Sequence, residues 1–249
     1  MSDTVETAAP TAPATARPVI VAIDGPSGTG KSSTSKAVAA KLGLEYLDTG
    51  AQYRALTWWM LTEGIDVQDP AAVAAVAGRP EIVSGTDPSS PTITVDGRDA
   101  TGPIRTEEVT AAVSAVSAVP EVRSRLTALQ RRLAGEARQG IVVEGRDIGS
   151  TVLPHADVKI FLTASAEARA ARRNGELKGK GAADLAATKE ALARRDAADS
   201  SRKVSPLTKA ADAIEVDTTE LTLEQVIECV ITLIEERRQG RGDRQGDTP

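Results

Sequence analysis

One cysteine, one histidine and one asparagine are all that a chain of 249 residues holds of those types. Each scarcity removes a class of chemistry. Cys229 alone cannot build a disulfide framework or a zinc cluster, and it fits a reducing, cytosolic setting. Its place in the apolar periodicity of the last helix reads as an inert buried thiol. His155 follows Pro154 in a loop and reads as solvated, so neither a Ser-His nor a Cys-His nucleophile pair is at hand. Asn174 is followed by Gly, so the N-K-x-D segment by which many GTPases read guanine is absent. Two tryptophans, two tyrosines and one phenylalanine leave the core to Val, Ile, Leu and Ala, and leave no aromatic platform on which nucleic-acid bases could stack. A net charge of −5 argues against nucleic acid or an anionic membrane as partner. Residues 1–17 are rich in Ala, Thr and Pro without an apolar segment, and read as a disordered tail, not a signal peptide or membrane span.

Against these absences stands one dense stretch, "GPSGTGKSS", Gly25 to Ser33. Gly25, four residues, Gly30, Lys31 and Ser32 satisfy G-x-x-x-x-G-K-[ST], the phosphate-cradling loop. Glycine there lets successive main-chain N–H groups turn toward one anion, because a Cβ would block the torsion or the approach. Gly25, Pro26, Ser27, Gly28, Thr29, Gly30, Lys31, Ser32 and Ser33 are the expected ATP-binding residues. Lys31 is expected on the outer phosphates and the Ser32 hydroxyl on a Mg²⁺ ion that keeps most of its waters. The alternative is a Gly/Ser-rich turn that matches by chance. Its setting argues otherwise: a β-branched strand, Val19 to Ile23, precedes it, and a helix closed by Gly43 follows.

Four further apolar runs read as buried parallel strands: Leu44 to Asp48, Ile141 to Val143, Val158 to Leu162 and Ala213 to Val216. Helical patterns separate them, and the last helix opens on Thr222 and Gln225 spaced as a capping box. Alternating strand and helix predict an α/β fold, a five-stranded parallel sheet wrapped by helices with ligands at the carboxyl ends of the strands. The alternation breaks at Gly64 to Val119, where a short helix, the strands "EIVS" and "TITV" and a "DGRD" turn predict an inserted subdomain. Residues 18–63 and 120–236 then form the core, the Gly/Lys-rich stretch within 174–190 reads as a mobile cover, and 237–249 as a second disordered tail.

A phosphate loop alone does not name a reaction. Arg54, Arg123, Arg146, Arg172, Arg173, Arg195 and Arg202 lie near strand ends, in the inserted helices or beside the cover, more guanidinium than one triphosphate needs. A second phosphate-bearing substrate would use them; the bland alternative is that several are solvated helix charges.

The segments "DGPSGTGKSSTSKAVAAKLG", "YLDTGAQYRALT", "IRTEEV", "EGRDIGS", "ADVKIFLTASAEARAARR" and "RRDAADSSRKVSPLTKAADAIEVDTT" resemble the bacterial cytidylate kinase family, in order and over roughly residues 18–236. "DTGAQYR", and "GRDIG" followed by "RDxxDSxR", are the specific part of that likeness. The resemblance implies a P-loop NTPase fold with an NMP-binding insert and a lid, which moves phosphate from ATP, with Mg²⁺, to CMP or dCMP in the cytoplasm. It implies small-molecule substrates only, with no nucleic acid or membrane, and a monomer. By the same resemblance Thr49, Arg54, Arg146 and Arg202 touch the CMP phosphate; Ser114, Arg123 and Asp147 read the cytosine ring; and Arg195 and Asp199 hold the sugar hydroxyls. Arg173 is implied among the arginines that face the transferred phosphate, so that Lys31, Arg146, Arg173 and Arg202 form the catalytic set.

The chemistry needs no histidine. Phosphoryl transfer is governed by positioning and by cationic donors around the equatorial oxygens, and the acceptor is a phosphate already largely deprotonated near pH 7. Cytosine offers an N4 amino donor where uracil offers a carbonyl, so a carboxylate at Asp147 would bond the first and repel the second. The competing role for Asp147 is an N-cap or a structural partner of Arg146. Glu144 stands where the family often has Asp, and the sequence leaves its part in ordering Mg²⁺ waters open. Ser150 and Thr151 replace a more usual Thr-Val, and His155 a common acidic residue. The competing functions are another P-loop kinase, which leaves the insert and the paired "GRD" and "RDxxDSxR" segments unexplained, and a nucleotide sensor without turnover.

Overall fold

The computed structural model describes residues 18–177 and 185–245. Short runs of β-branched residues form the central strands: β1 (Val19–Asp24), β2 (Glu45–Asp48), β6 (Gly140–Glu144), β7 (Val158–Thr163) and β8 (Ile214–Asp217). They lie in the order β2-β6-β1-β7-β8, every pairing parallel. Burial on both faces explains their unbroken apolar character; Val21, Ile23, Ile141, Val142 and Val143 are all inaccessible. Helices α1 (Lys31–Leu42) and α8 (Leu223–Gln245) cover one face, where Val38, Val226, Val230 and Ile234 close on Tyr46, Val142 and Ile160.

The expected helix stops are present. Gly43, at φ 65°, turns the end of α1 so that its N–H reaches the carbonyls of Ala39 and Ala40. At the start of α8 the Thr222 N–H donates to Gln225 Oε1 at 2.9 Å and the Gln225 N–H to Thr222 Oγ1 at 3.2 Å. That helix continues to Gln245, through residues 237–245 of the stretch that the sequence reads as a tail. Glu235, Glu236, Arg237 and Arg238 are good helix formers, and extending a nucleated helix costs far less than starting one. Residues 1–17 and 246–249, and the 178–184 portion of the expected cover, lie outside the described residues.

The insertion follows β2. It contains α2 (Thr49–Thr62), α3 (Pro70–Val76), the antiparallel strands β3 (Ile82–Ser84), β4 (Ile93–Val95) and β5 (Arg98–Asp99), then α4 (Glu107–Ala118) and α5 (Pro120–Glu136). Asp96 (φ 49°) and Gly97 (φ 73°) make the tight turn expected at "DGRD". Packing draws this unit wider than Gly64 to Val119, because one apolar cluster joins Leu56 and Met60 of α2 to Val113, Val116, Val122 and Leu126. Helix α5 also reaches the sheet, where Leu133 and Ala134 pack with Ile141 and Val143, so strand alternation alone does not mark where the two units meet. Finally, α6 (Ala166–Leu177) follows β7 and α7 (Leu185–Ser200) precedes β8. Among the described residues no helix is long and apolar enough to cross a membrane.

Candidate active site

Four connections leave the carboxyl edge of the sheet at one place: the phosphate loop after β1, the start of α2 after β2, the "GRD" turn after β6 and the start of α6 after β7. Between them opens a cleft of about 360 Å³, within the size range of small-molecule sites. Nine cationic side chains but only four carboxylates line it, in a protein whose net charge is −5. Such an excess marks an anion site.

Gly25 and Gly28 shape the donor end. A Cβ on Gly25 would come within 2.2 Å of the Leu162 carbonyl oxygen, and one on Gly28 within 3.2 Å of Arg169. Both have positive φ, so glycine lets the loop lie flat against β7 and α6. Ser27, Gly28, Gly30, Lys31, Ser32 and Ser33 line the cleft. Gly25, Pro26 and Thr29 do not; they form its back, with Thr29 Oγ1 donating to the Pro26 carbonyl at 3.1 Å. Lys31 is buried and folds over its own loop, its Nζ donating to Pro26 O at 2.5 Å and to Thr29 Oγ1 at 3.4 Å. Burial, then Arg146 nearby, holds its pKa well below the usual lysine value.

Arginines crowd the middle of the cleft. Arg54 donates to Ile104 O at 3.1 Å and Thr110 Oγ1 at 2.9 Å, and burial brings its pKa down to about 10. Arg195 is brought to about 10 by burial and then by Arg146, and its Nε has no hydrogen-bond partner. Arg146 pairs with Asp199 at 3.0 Å, and Arg202 bonds the other oxygen of the same carboxylate. Burial lowers the Arg202 pKa as well. Arg173 also lines the cleft. Arg172 does not, for it reaches the Thr218 hydroxyl at 2.9 Å and the Thr218 carbonyl, tying α6 to the end of β8.

The far end is built around Arg123 and Asp147, paired at 2.6 Å with side chains only 3% and 6% exposed. Arg123 also donates to Ser117 O at 3.2 Å and lies 5.3 Å from the centre of the Tyr53 ring. Its Nε is buried without a partner. Asp147 therefore pairs with Arg123, not with the adjacent Arg146, and makes no side-chain cap on the turn that follows. That turn, Ile148–Val152, is a single π-type turn in which Val152 N–H reaches Asp147 O at 3.0 Å. Ser114 lines the same end from α4. Thr49 lines the cleft, but its hydroxyl donates to the Glu144 carbonyl at 2.7 Å, so it acts as a strut between α2 and β6 instead of offering that proton to a ligand.

The model of the cytidylate kinase family matches residues 21–236. The chain belongs to that family. It is 76% identical to a cytidylate kinase of Streptomyces avermitilis over 90% of this chain and 95% of that one. A cytidylate kinase of Nocardia farcinica is 57% identical over 85% of this chain and 91% of its own length. As a cytidylate kinase family member the chain is an enzyme, a kinase of the P-loop fold that phosphorylates nucleoside monophosphates.

Several cleft residues of this cytidylate kinase family member had no assigned role in the sequence reading. Lys36 lies one turn beyond Ser32 on α1, and Arg105 falls within the quoted "IRTEEV". Asp48 ends β2 and caps α2, accepting from Ala51 N–H at 3.0 Å; a carboxylate at a strand end was the available signal. Tyr53, by contrast, reads from sequence as one more apolar residue of α2. His155 is exposed and Cys229 half-buried, both away from the cleft.

Asp24, at the end of β1, holds the "GRD" turn from below. Its carboxylate accepts from Ile148 N–H at 2.9 Å and Gly149 N–H at 2.7 Å. Burial outweighs those bonds and raises its pKa to about 6. Between its unfolded value of 3.8 and about 6 the folded state binds the extra proton, so this group's stabilisation is full below pH 3.8 and lost as pH rises through 6. The wild-type stability curve, relative to Asp24→Asn, is expected to fall by about 2–3 kcal/mol across that interval in urea unfolding. A constant difference would show that Asp24 titrates normally.

Proposed function

We propose that this enzyme transfers the terminal phosphoryl group of ATP to CMP and dCMP, giving CDP and dCDP by in-line displacement. The observation that carries the reading is a single cationic cleft that runs from the phosphate loop to a buried Arg123–Asp147 pair. A triphosphate at the loop and a pyrimidine monophosphate at the pair would meet phosphate to phosphate among Lys31, Arg54, Arg146, Arg173, Arg195 and Arg202.

The protein's work is then positional and electrostatic. Main-chain N–H groups of the loop grip the donor, and Lys31 leaves Pro26 O for its outer oxygens. Arg54, Arg146 and Arg202 hold the acceptor phosphate, with Thr49 bracing the floor beneath them. Arg173 faces the group in flight. Asp147 accepts from the cytosine amino group while Arg123 and Ser114 bond the rest of the ring edge; Arg195 and Asp199 turn toward the sugar. With only Tyr53 as an aromatic wall, recognition rests on the ring edge more than on stacking.

The residues fit a hydrated divalent cation of the Mg²⁺ kind. The Ser32 hydroxyl, Asp48 and Glu144 lie together in the cleft, and Glu144 Oε2 is buried with no hydrogen-bond partner while Oε1 accepts from Tyr46 at 2.7 Å. Burial and then the Asp48 charge raise the Glu144 pKa, a repulsion that a cation between them would relieve. Among the described residues no group of three or more acidic, histidine or cysteine side chains is placed to hold a metal. When bound, the ion would spread and neutralise charge on the donor's phosphates.

The lone cysteine supports a cytoplasmic setting. The test is a coupled assay of ADP release against CMP, dCMP, UMP, AMP and shikimate. Turnover is expected with CMP and dCMP at least about a hundredfold above UMP in kcat/KM. A preference for AMP or shikimate would overturn the acceptor, and ATP binding without any ADP release would leave a sensor.

A further inference from the structure

Behind the cleft, outside its lining, lies a charge pair that the proposed transfer does not use: Arg169 on α6 and Asp196 on α7. Its side chains are 12% and 17% exposed. Together the two residues hold both main-chain polar atoms of one phosphate-loop residue, Ser27. The Ser27 N–H donates to Asp196 Oδ1 at 3.2 Å, and Arg169 Nη1 donates to the Ser27 carbonyl at 3.1 Å and to Asp196 Oδ2. Gly28, the next residue, lies against Arg169, where an added Cβ would come within 3.2 Å of that residue.

The two helices that supply this pair also carry Arg173 and Arg195 into the cleft. On α7, Asp196 and Asp199 lie three residues apart on adjoining positions of one face. Asp196 turns to the donor loop, whereas Asp199 holds Arg146 and Arg202. The α6 end of the arrangement is itself fixed, since Arg172 grips Thr218 and the Ser165 N–H donates to Thr219 Oγ1 at 2.9 Å.

We propose that the Arg169–Asp196 pair is a positioning brace that fixes the phosphate loop relative to the cleft arginines, with Arg169 also offsetting the carboxylate placed behind the donor's phosphates. Neither residue touches substrate. The proposal rests on ATP as donor only for its binding and kinetic arms; its first test needs no nucleotide.

In Asp196→Ala, amide hydrogen exchange over residues 25–30 of the nucleotide-free protein is expected to speed up about tenfold, with exchange in the sheet unchanged. Arg169→Met leaves the carboxylate uncompensated and is expected to weaken binding of a non-hydrolysable ATP analogue about tenfold by calorimetry. Adding Asp196→Asn to Arg169→Met should recover most of that loss, because the unpaired charge is gone while an oxygen still faces Ser27. The CMP KM should stay within about twofold in every variant, since the acceptor arginines keep Asp199. Unchanged loop exchange in Asp196→Ala overturns the brace. So does additive loss in the double variant, or an equal rise in both KM values. If the wild type bound no ATP analogue, the donor reading would fall while loop exchange still decided the brace.

Discussion

Lys31→Ala is expected to lower kcat by at least about 10²–10³-fold while leaving the fold in place. The lysine is a poor candidate for a structural role. Its ammonium is buried, held at 2.5 Å by one carbonyl of its own loop, and pushed toward deprotonation by burial and Arg146. The Glu144 and Asp24 carboxylates offset only part of that burial cost, so removing the cation relieves a net opposition to stability and leaves the Pro26 carbonyl to water. Phosphate in the loop would add to the Glu144 and Asp24 charges that already act on the ammonium from nearby. Thermal unfolding should therefore show a midpoint at or above that of the wild type, together with near-total loss of ADP release in the coupled assay. Retained transfer at a tenth of the wild-type rate or better would remove Lys31 from the reacting centre.

Asp147→Asn is expected to lower the CMP-to-UMP ratio of kcat/KM by about 10²–10³-fold. An amide can turn its NH₂ toward the uracil O4, whereas the carboxylate can only accept. The substitution keeps shape, which matters because Asp147→Ala would strand Arg123 in a site where its side chain is 3% exposed. Breaking such a buried pair costs about 3–5 kcal/mol, on the order of 10 °C in melting temperature for a chain of this size. The two variants separate the functions of one carboxylate: Asn reports on base selection, Ala mainly on stability. Steady-state kinetics with both acceptors decides it, and a ratio unmoved in Asp147→Asn would leave Asp147 as a purely structural counter-ion.

The sheet was legible because buried parallel strands advertise themselves as short β-branched runs, and the phosphate loop because glycine spacing there answers to a torsional need. The "DGRD" turn and the capping box at Thr222 were legible for the same local reason. Partnerships across the chain were not. Nothing local tells Asp147 to choose Arg123, 24 positions away, over its neighbour Arg146, or separates Arg172, which serves Thr218, from Arg173, which lines the cleft. Arg169 and Asp196 escaped notice because their importance lies in meeting at Ser27, and a sequence records residues, not meetings. The apolar cluster of the insertion runs past Gly64 and Val119 into α2 and α5, and neither helix carries a local mark of that membership.

The carboxylate of Asp199, shared between Arg146 and Arg202, has a consequence for traffic through the cleft. A phosphate that docks on these two guanidinium groups, as proposed, would compete with a resident anion, and binding would yield only the difference between the two partners. On that reading the same carboxylate would stand ready to take the two guanidinium groups back from a departing diphosphate.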